Sequence, residues 1–136
     1  YQKAQTFGGI VVGTGNKVED FGVGFFTKYG DGGVDISPIA DLYKTEVWEL
    51  GKELGIDPRI IDAEPTDGLW EDGRVDSDQL NGLSYEQLEW CMEYIDAPED
   101  MMTEEDRENI ELYKTIRNKN LHKMNPIPVF TKSKEV

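Results

Sequence analysis

Two periods organise the apolar positions of the chain. Gly9-Ile10-Val11-Val12-Gly13 is a short β-branched run between glycines, the pattern of a strand buried on both faces of a parallel sheet. Only Tyr1 to Phe7 stand before it. A parallel strand needs a neighbour on each side to satisfy its backbone groups, so the pattern predicts that these residues are the rear part of something longer. Helical spacing begins at about Thr45 with Val47, Leu50 and Leu54, and Gly55 stands in the C′ place that ends a helix. Ser37-Pro38 reads as an N-cap with proline at the first helical position. Ile60 and Ile61, ahead of Glu64-Pro65-Thr66, read as the tip of another strand or turn.

Two later helices carry their own start signals. Ser84-Tyr85-Glu86-Gln87 is a capping box ahead of Leu88, Cys91, Met92 and Ile95, and Thr103-Glu104-Glu105-Asp106 opens a helix through Ile110, Tyr113 and Ile116. Asn125-Pro126-Ile127-Pro128 stops the second one. Between these patterned stretches lie two aperiodic ones. Thr14 to Gly33 holds six glycines from Gly15 onward, and Asp67 to Leu83 is an acidic, glycine-punctuated run of 17 residues that predicts an exposed loop.

Charge sharpens this picture. The 136 residues carry a net charge of -14, which opposes binding to a phosphate backbone or an anionic membrane surface and gives nucleic acid a poor fit. The distribution is uneven. Residues 62 to 111 hold 18 acids and two bases, whereas residues 112 to 136 hold one acid and six bases, among them Lys114, Arg117, Lys119 and Lys123. With 38% apolar residues the chain can build a core. No apolar run reaches the length of a membrane span and no signal peptide is readable. The single cysteine, Cys91, can form no internal disulfide, so the expectation is a soluble protein of a reducing, cytoplasmic compartment.

Candidate chemistry sits in the glycine-rich stretch. Gly13-Thr14-Gly15-Asn16-Lys17-Val18-Glu19 follows the strand directly, placing small residues and amide donors at the carboxyl edge of a sheet, where open α/β folds bind nucleotides. A tight turn into a helix explains that spacing equally well. Further on, Lys28, Asp31 and Asp35 are interleaved with Gly30, Gly32 and Gly33 and follow Phe25 and Phe26. Charged groups in a loop whose backbone can approach a ligand, beside aromatic faces that can stack on it, point to binding.

These blocks together carry a resemblance. Gly13 to Glu19, then Gly24-Phe25-Phe26-Thr27-Lys28-Tyr29-Gly30-Asp31-Gly32-Gly33, then Pro38 and Lys44, Pro65-Thr66, and His122-Lys123 resemble, in order and spacing, the C-terminal half of the NAD synthetase family. The acidic segment with Trp70 is similar to the ammonia-dependent branch of that family. The resemblance implies an α/β fold, part of a doubly wound parallel sheet of the adenine nucleotide alpha-hydrolase or ATP pyrophosphatase type. Residues 1 to 136 would be the C-terminal portion of one domain, with 65 to 83 a lid loop and 84 to 136 the C-terminal helices and basic tail. It implies a homodimeric ligase that joins ammonia to deamido-NAD at the expense of ATP, with Mg2+ as cofactor.

Residue by residue, the resemblance places Glu19 on a magnesium ligand, a role that suits a hard carboxylate oxygen. Thr14, Lys44 and Thr66 fall on ATP-contacting positions, and Lys28, Asp35, His122 and Lys123 on positions that hold deamido-NAD. Asp31 falls near the ammonia site, where a carboxylate could hold ammonium or accept its proton. Plainer readings stand beside these: Asp31 as the cap of a turn, His122 as a cationic helix end, Glu19 and Lys44 as solvated helix residues. Two departures accompany the match. One extra residue separates Glu19 from Lys28 relative to some members, and the family's Ser-Gly-Gly-x-Asp-Ser pyrophosphate loop is absent from the sequence. Another amidating synthetase of the same fold type, or a noncatalytic partner-binding module, remain the alternatives.

Overall fold

A computed structural model describes residues 1–132 of the chain. Helix α1 (Gln2–Phe7) leads into an extended segment, followed by a π-helical segment (Lys17–Val23), α2 (Lys44–Glu53), the single turn α3 (Pro58–Ile61), the single turn α4 (Asp76–Gln79), α5 (Tyr85–Tyr94), a 3-10 turn (Glu99–Met101) and the long α6 (Glu104–Met124). Among the described residues, strand pairing is confined to one parallel bridge between Val12 and Ile36. The Asp35 amide donates to Val11 at 2.9 Å and the Gly13 amide to Ile36 at 2.7 Å.

The sheet expected around residues 9 to 13 is therefore reduced to a short parallel contact. Ile10 and Val12 are 60% and 53% exposed instead of buried on both faces. The physical reason is that one bridge partner cannot cover two faces. Gly13 fits this contact because a Cβ there would lie 2.9 Å from the Val34 Cγ2 and 3.2 Å from the Ile36 carbonyl.

The core sits instead among the helices. Val18 and Val23 of the π-helical segment, Leu88 and Cys91 of α5, and Ile110, Tyr113 and Ile116 of α6 are buried together, closed by Leu80 and Leu83. Sequence patterning explains α5 and α6. Ser84 Oγ accepts the Gln87 amide while Gln87 Oε1 accepts the Ser84 amide at 2.9 Å, and Thr103 and Asp106 exchange the same pair of bonds at 2.9 and 3.1 Å. Both boxes satisfy the first amides, which have no partner inside the helix. Inward residues then recur every three to four positions.

Along α6 that inward stripe changes character. After Ile116 it continues as Arg117, Asn120 and Lys123, and these side chains reach the backbone carbonyls where the π-helical segment ends. Arg117 donates to the Phe21 and Gly22 carbonyls at 2.5 Å, Asn120 to Val23 at 2.9 Å, and Lys123 to Gly24 and Phe26 at 2.9 and 2.8 Å. A helix end exposes carbonyls without intrahelical partners, and α6 caps them from outside. Gly24 permits the approach, since its φ is +68° and a Cβ would stand 2.7 Å from that of Asn120.

Three local expectations are revised. Ser37-Pro38 opens a turn, with the Ala40 amide on the Ser37 carbonyl, and not a helix. Ile60 and Ile61 belong to α3, because Asp57 caps the Arg59 amide at 2.9 Å and Pro58 stands in the first turn. The expected loop at Asp67 to Leu83 is irregular and exposed only in its first part. From Asp76 onward it folds as α4 and buries Asp76, Leu80 and Leu83. By contrast α2 begins at Lys44, one residue before its expected start, and Gly55 follows it at φ +69°.

Candidate functional site

Asn16 and Glu19 begin the site. The Asn16 side chain is buried and its Oδ1 accepts the Val18 and Glu19 amides, both at 3.0 Å. This cap turns the chain from the extended segment into the π-helical segment and fixes where Glu19 points. Lys44, at the first position of α2, places Nζ 3.0 Å from Glu19 Oε1, with both side chains mostly buried. The Tyr85 hydroxyl, at the first position of α5, lies 2.6 Å from the same oxygen. Its other neighbour, at 3.2 Å, is Asp76 Oδ2.

Asp76 has one buried oxygen, Oδ1, without a hydrogen-bond partner among the described residues. Burial raises its pKa, opposed by the hydrogen bond from Tyr85. Burial also pushes the Tyr85 phenol up, reinforced by the charge of Glu19, so the hydroxyl keeps its proton. Four side chains from the π-helical segment, α2, α4 and α5 thus meet in one cluster. Sequence reasoning found Glu19 and Lys44 but missed Asp76 and Tyr85. Their residue types carried no signal, since one is an acid in an acidic run and the other lies inside a capping box.

Asp20 was also unassigned. Burial, then the charges of Glu19 and Asp31, push its carboxyl up to about 6. Its carboxylate occupies the space that a Cβ at Gly15 would need, which accounts for the glycine of the Thr14-Gly15-Asn16 turn.

A second group of side chains forms around the glycine-rich loop and the end of α6. Lys28 Nζ donates to the His122 carbonyl at 2.5 Å, tying the loop to the helix. Lys28 and Lys123 line a cavity of about 360 Å³ with Phe26, Tyr29 and Asp20. Lys123 and Phe26 also line, with Asp31, a second cavity of about 530 Å³ that reaches Asp67 and Leu69 at the start of the acidic loop. Burial lowers the Lys123 pKa, opposed by the charge of Asp31.

Other expected site residues have structural partners or stand apart. Asp31 Oδ1 accepts the Thr27 amide at 2.8 Å, the turn-capping geometry. Asp35 accepts from the Val11 amide at 2.8 Å and the Tyr1 hydroxyl at 3.0 Å, which links the extended segments. Thr66 accepts the Gly68 amide at 3.1 Å and stays within its own loop. Thr14 and His122 are exposed. The structure therefore joins Glu19 with Lys44, and Lys28 with His122 and Lys123, and does not bring Thr14, Asp35 or Thr66 into contact with either group. Chemically, carboxylates beside fixed ammonium groups suit a ligand bearing both anionic groups and hydroxyls.

No helix among the described residues is long and apolar enough to cross a membrane. A family model described as NAD synthase matches residues 1–127. An NH3-dependent NAD+ synthetase of Methanococcoides burtonii is 52% identical over 99 residues, covering 73% of this chain and 36% of that protein. The corresponding synthetase of Methanosarcina acetivorans is 39% identical over 135 residues, covering 94% and 52%. The solved structure of an NMN synthetase from Francisella tularensis superposes with a TM-score of 0.75 at 34% identity, covering 98% of this chain and 50% of that one. The chain thus spans about a third to a half of the length of these relatives.

Proposed function

The chain belongs to the NAD synthase family, and on that premise we propose that it forms the C-terminal portion of a Mg2+-dependent ligase that amidates deamido-NAD with ammonia and ATP. The observation that carries this reading is the family match over residues 1–127, supported by relatives at 39% and 52% identity that are NH3-dependent NAD+ synthetases. In the full-length enzyme the Val12–Ile36 pairing would extend into the doubly wound parallel sheet, the enzyme would be a cytoplasmic homodimer, and its Ser-Gly-Gly-x-Asp-Ser loop would lie outside these residues.

The residues fit a magnesium ion. Both Lys44 and Tyr85 approach Glu19 at Oε1, which leaves Oε2, a hard carboxylate oxygen, for a cation. Glu19 would hold the ion, which supplies positive charge to the phosphates as they react. In the first step the nicotinate carboxylate attacks the α-phosphorus of ATP, a P–O bond to pyrophosphate breaks, and an acyl adenylate forms. In the second, ammonia attacks the acyl carbon and AMP leaves with the C–O electrons.

This chain's residues assist by charge and position. Lys44, beside Glu19, would neutralise phosphate oxygens, and Thr14 and Thr66 would offer hydroxyls to ATP. Lys28 and Lys123 would hold deamido-NAD at the cavity between the glycine-rich loop and α6, with Phe26 as a stacking face, and Asp35 and His122 would hold it from outside that cavity's lining. Asp31 would receive the proton that the attacking ammonia loses. Residues 65 to 83 would act as a lid over the adenylate, moving at 65 to 75 while α4 remains anchored.

Pyrophosphate release by the full-length enzyme tests the reading. Turnover requiring both deamido-NAD and ammonia supports it; none with that pair sinks it. The likeness to an NMN synthetase favours a second reading, amidation of the mononucleotide, and faster turnover with nicotinic acid mononucleotide than with deamido-NAD would select it.

A further inference from the structure

The Glu19 carboxylate is held by more than its own segment. Tyr85 hangs from the first turn of α5, its ring fixed edge-on against Trp48 of α2 with centroids 5.8 Å apart. Its hydroxyl stands between Glu19 Oε1, at 2.6 Å, and Asp76 Oδ2, at 3.2 Å, so its one proton is shared between the two carboxylates. Asp76 is itself 6% exposed and begins α4, the anchored end of the acidic loop. The Asp76 amide donates to the Pro65 carbonyl at 3.0 Å, which closes that loop at its base. A buried carboxylate with an unpartnered oxygen costs stability.

The geometry points to Tyr85 and Asp76 as positioning residues for Glu19: the loop base at Asp76 is linked through the Tyr85 hydroxyl to the carboxylate that faces the cation. The inference rests on the reading of Glu19 as the magnesium ligand. Outer hydrogen bonds of this kind orient a ligand and hold its unused oxygen toward the metal. Because the chain runs from the loop base, seating of the loop and orientation of Glu19 are set by the same contacts. Neither Tyr85 nor Asp76 needs to touch a substrate for this.

Mn2+ binding, followed by the EPR signal of the free ion, tests the chain of contacts in the full-length enzyme with ATP present. Tyr85→Phe keeps the ring against Trp48 and removes only the hydroxyl, and it should raise the Mn2+ dissociation constant about tenfold. Asp76→Ala should weaken Mn2+ to a similar degree. Asp76→Asn keeps the shape and a polar arm on Tyr85 and should restore binding to within about twofold of the parent. Unchanged Mn2+ affinity in Tyr85→Phe would overturn the proposal. So would an Asp76→Asn variant as weak as Asp76→Ala, which would mean that the charge matters and not the contact. Glu19→Ala separates the premise from the inference. If it binds Mn2+ like the parent, the ligand assignment fails and takes the positioning chain with it, whereas pyrophosphate release reports independently on the reaction.

Discussion

The helical part of the chain and the extended part before it solve the same problem with different success. In the first, the π-helical segment, α5 and α6 bury Val18, Leu88, Cys91 and Tyr113 almost completely against one another. In the second, Ile10 and Val12 are 60% and 53% exposed. Composition does not separate them, because both are rich in apolar residues. The difference is where the partners lie. An amphipathic helix needs one covered stripe, and neighbours within 100 residues supply it, whereas a parallel strand needs two flanking strands and two covered faces.

The largest test of this contrast is at the helical core. Leu88→Ala should destabilise by about 3 kcal/mol, since a fully buried leucine leaves a cavity among close-packed neighbours. Chemical denaturation of the full-length enzyme measures it, and a loss under about 1 kcal/mol would show that this core relaxes freely. Next is the contact by which α6 closes the end of the π-helical segment. Arg117→Ala strips two carbonyls of a charged donor and should cost about 2 kcal/mol. Arg117→Lys should recover only part of that, because the differently shaped side chain does not carry its ammonium to the place from which Nη1 reaches both carbonyls. A Lys variant as stable as the parent would refute the guanidinium's shape as the cause.

Legibility from sequence follows the same line. Capping boxes at Ser84 and Thr103, the stripes they open, and Gly55 are local signals, and all appear where the patterns put them. The π-helical register of Lys17–Val23 was not legible, because it depends on Arg117, Asn120 and Lys123 nearly a hundred residues away. Nor was the burial of Asp76, whose acidic neighbours disguise it as loop. For the candidate site, the family resemblance named Glu19 and Lys44, which meet, and the plainer reading of Asp31 as a turn cap agrees with its bond from the Thr27 amide, whereas nothing in the sequence signalled that Asp35 holds the Val11 amide. Whether a polar residue has a partner is a property of the fold and not of its neighbours in sequence.

Val12→Ala probes the extended part directly. If the Val12–Ile36 pairing grows into a sheet in the full-length enzyme, removing two methyl groups should cost about 1 kcal/mol there. A cost indistinguishable from zero would mean that the segment stays at the surface and that the contrast is intrinsic to the fold. The value is small beside Leu88→Ala because fewer groups are lost and Val12 is 53% exposed whereas Leu88 is fully buried.

The smallest effect lies at the turn between the two parts, in Asp20. Its carboxyl is pushed up to about 6 from 3.8, mainly by burial. A raised acid means that the folded protein holds a proton which the unfolded chain has already released. Folding is thus favoured below the unfolded value, and the advantage is lost as pH rises from about 4 through about 6, remaining absent above. Asp20→Asn removes the group that must ionise while buried. It should therefore melt higher than the parent at pH 7.5, by the equivalent of about 1 kcal/mol after allowance for solvent screening. At pH 4 the two should lie close together. Melting curves at both pH values decide the point, and a constant gap between them would place the effect in packing at Gly15 instead of in the charge.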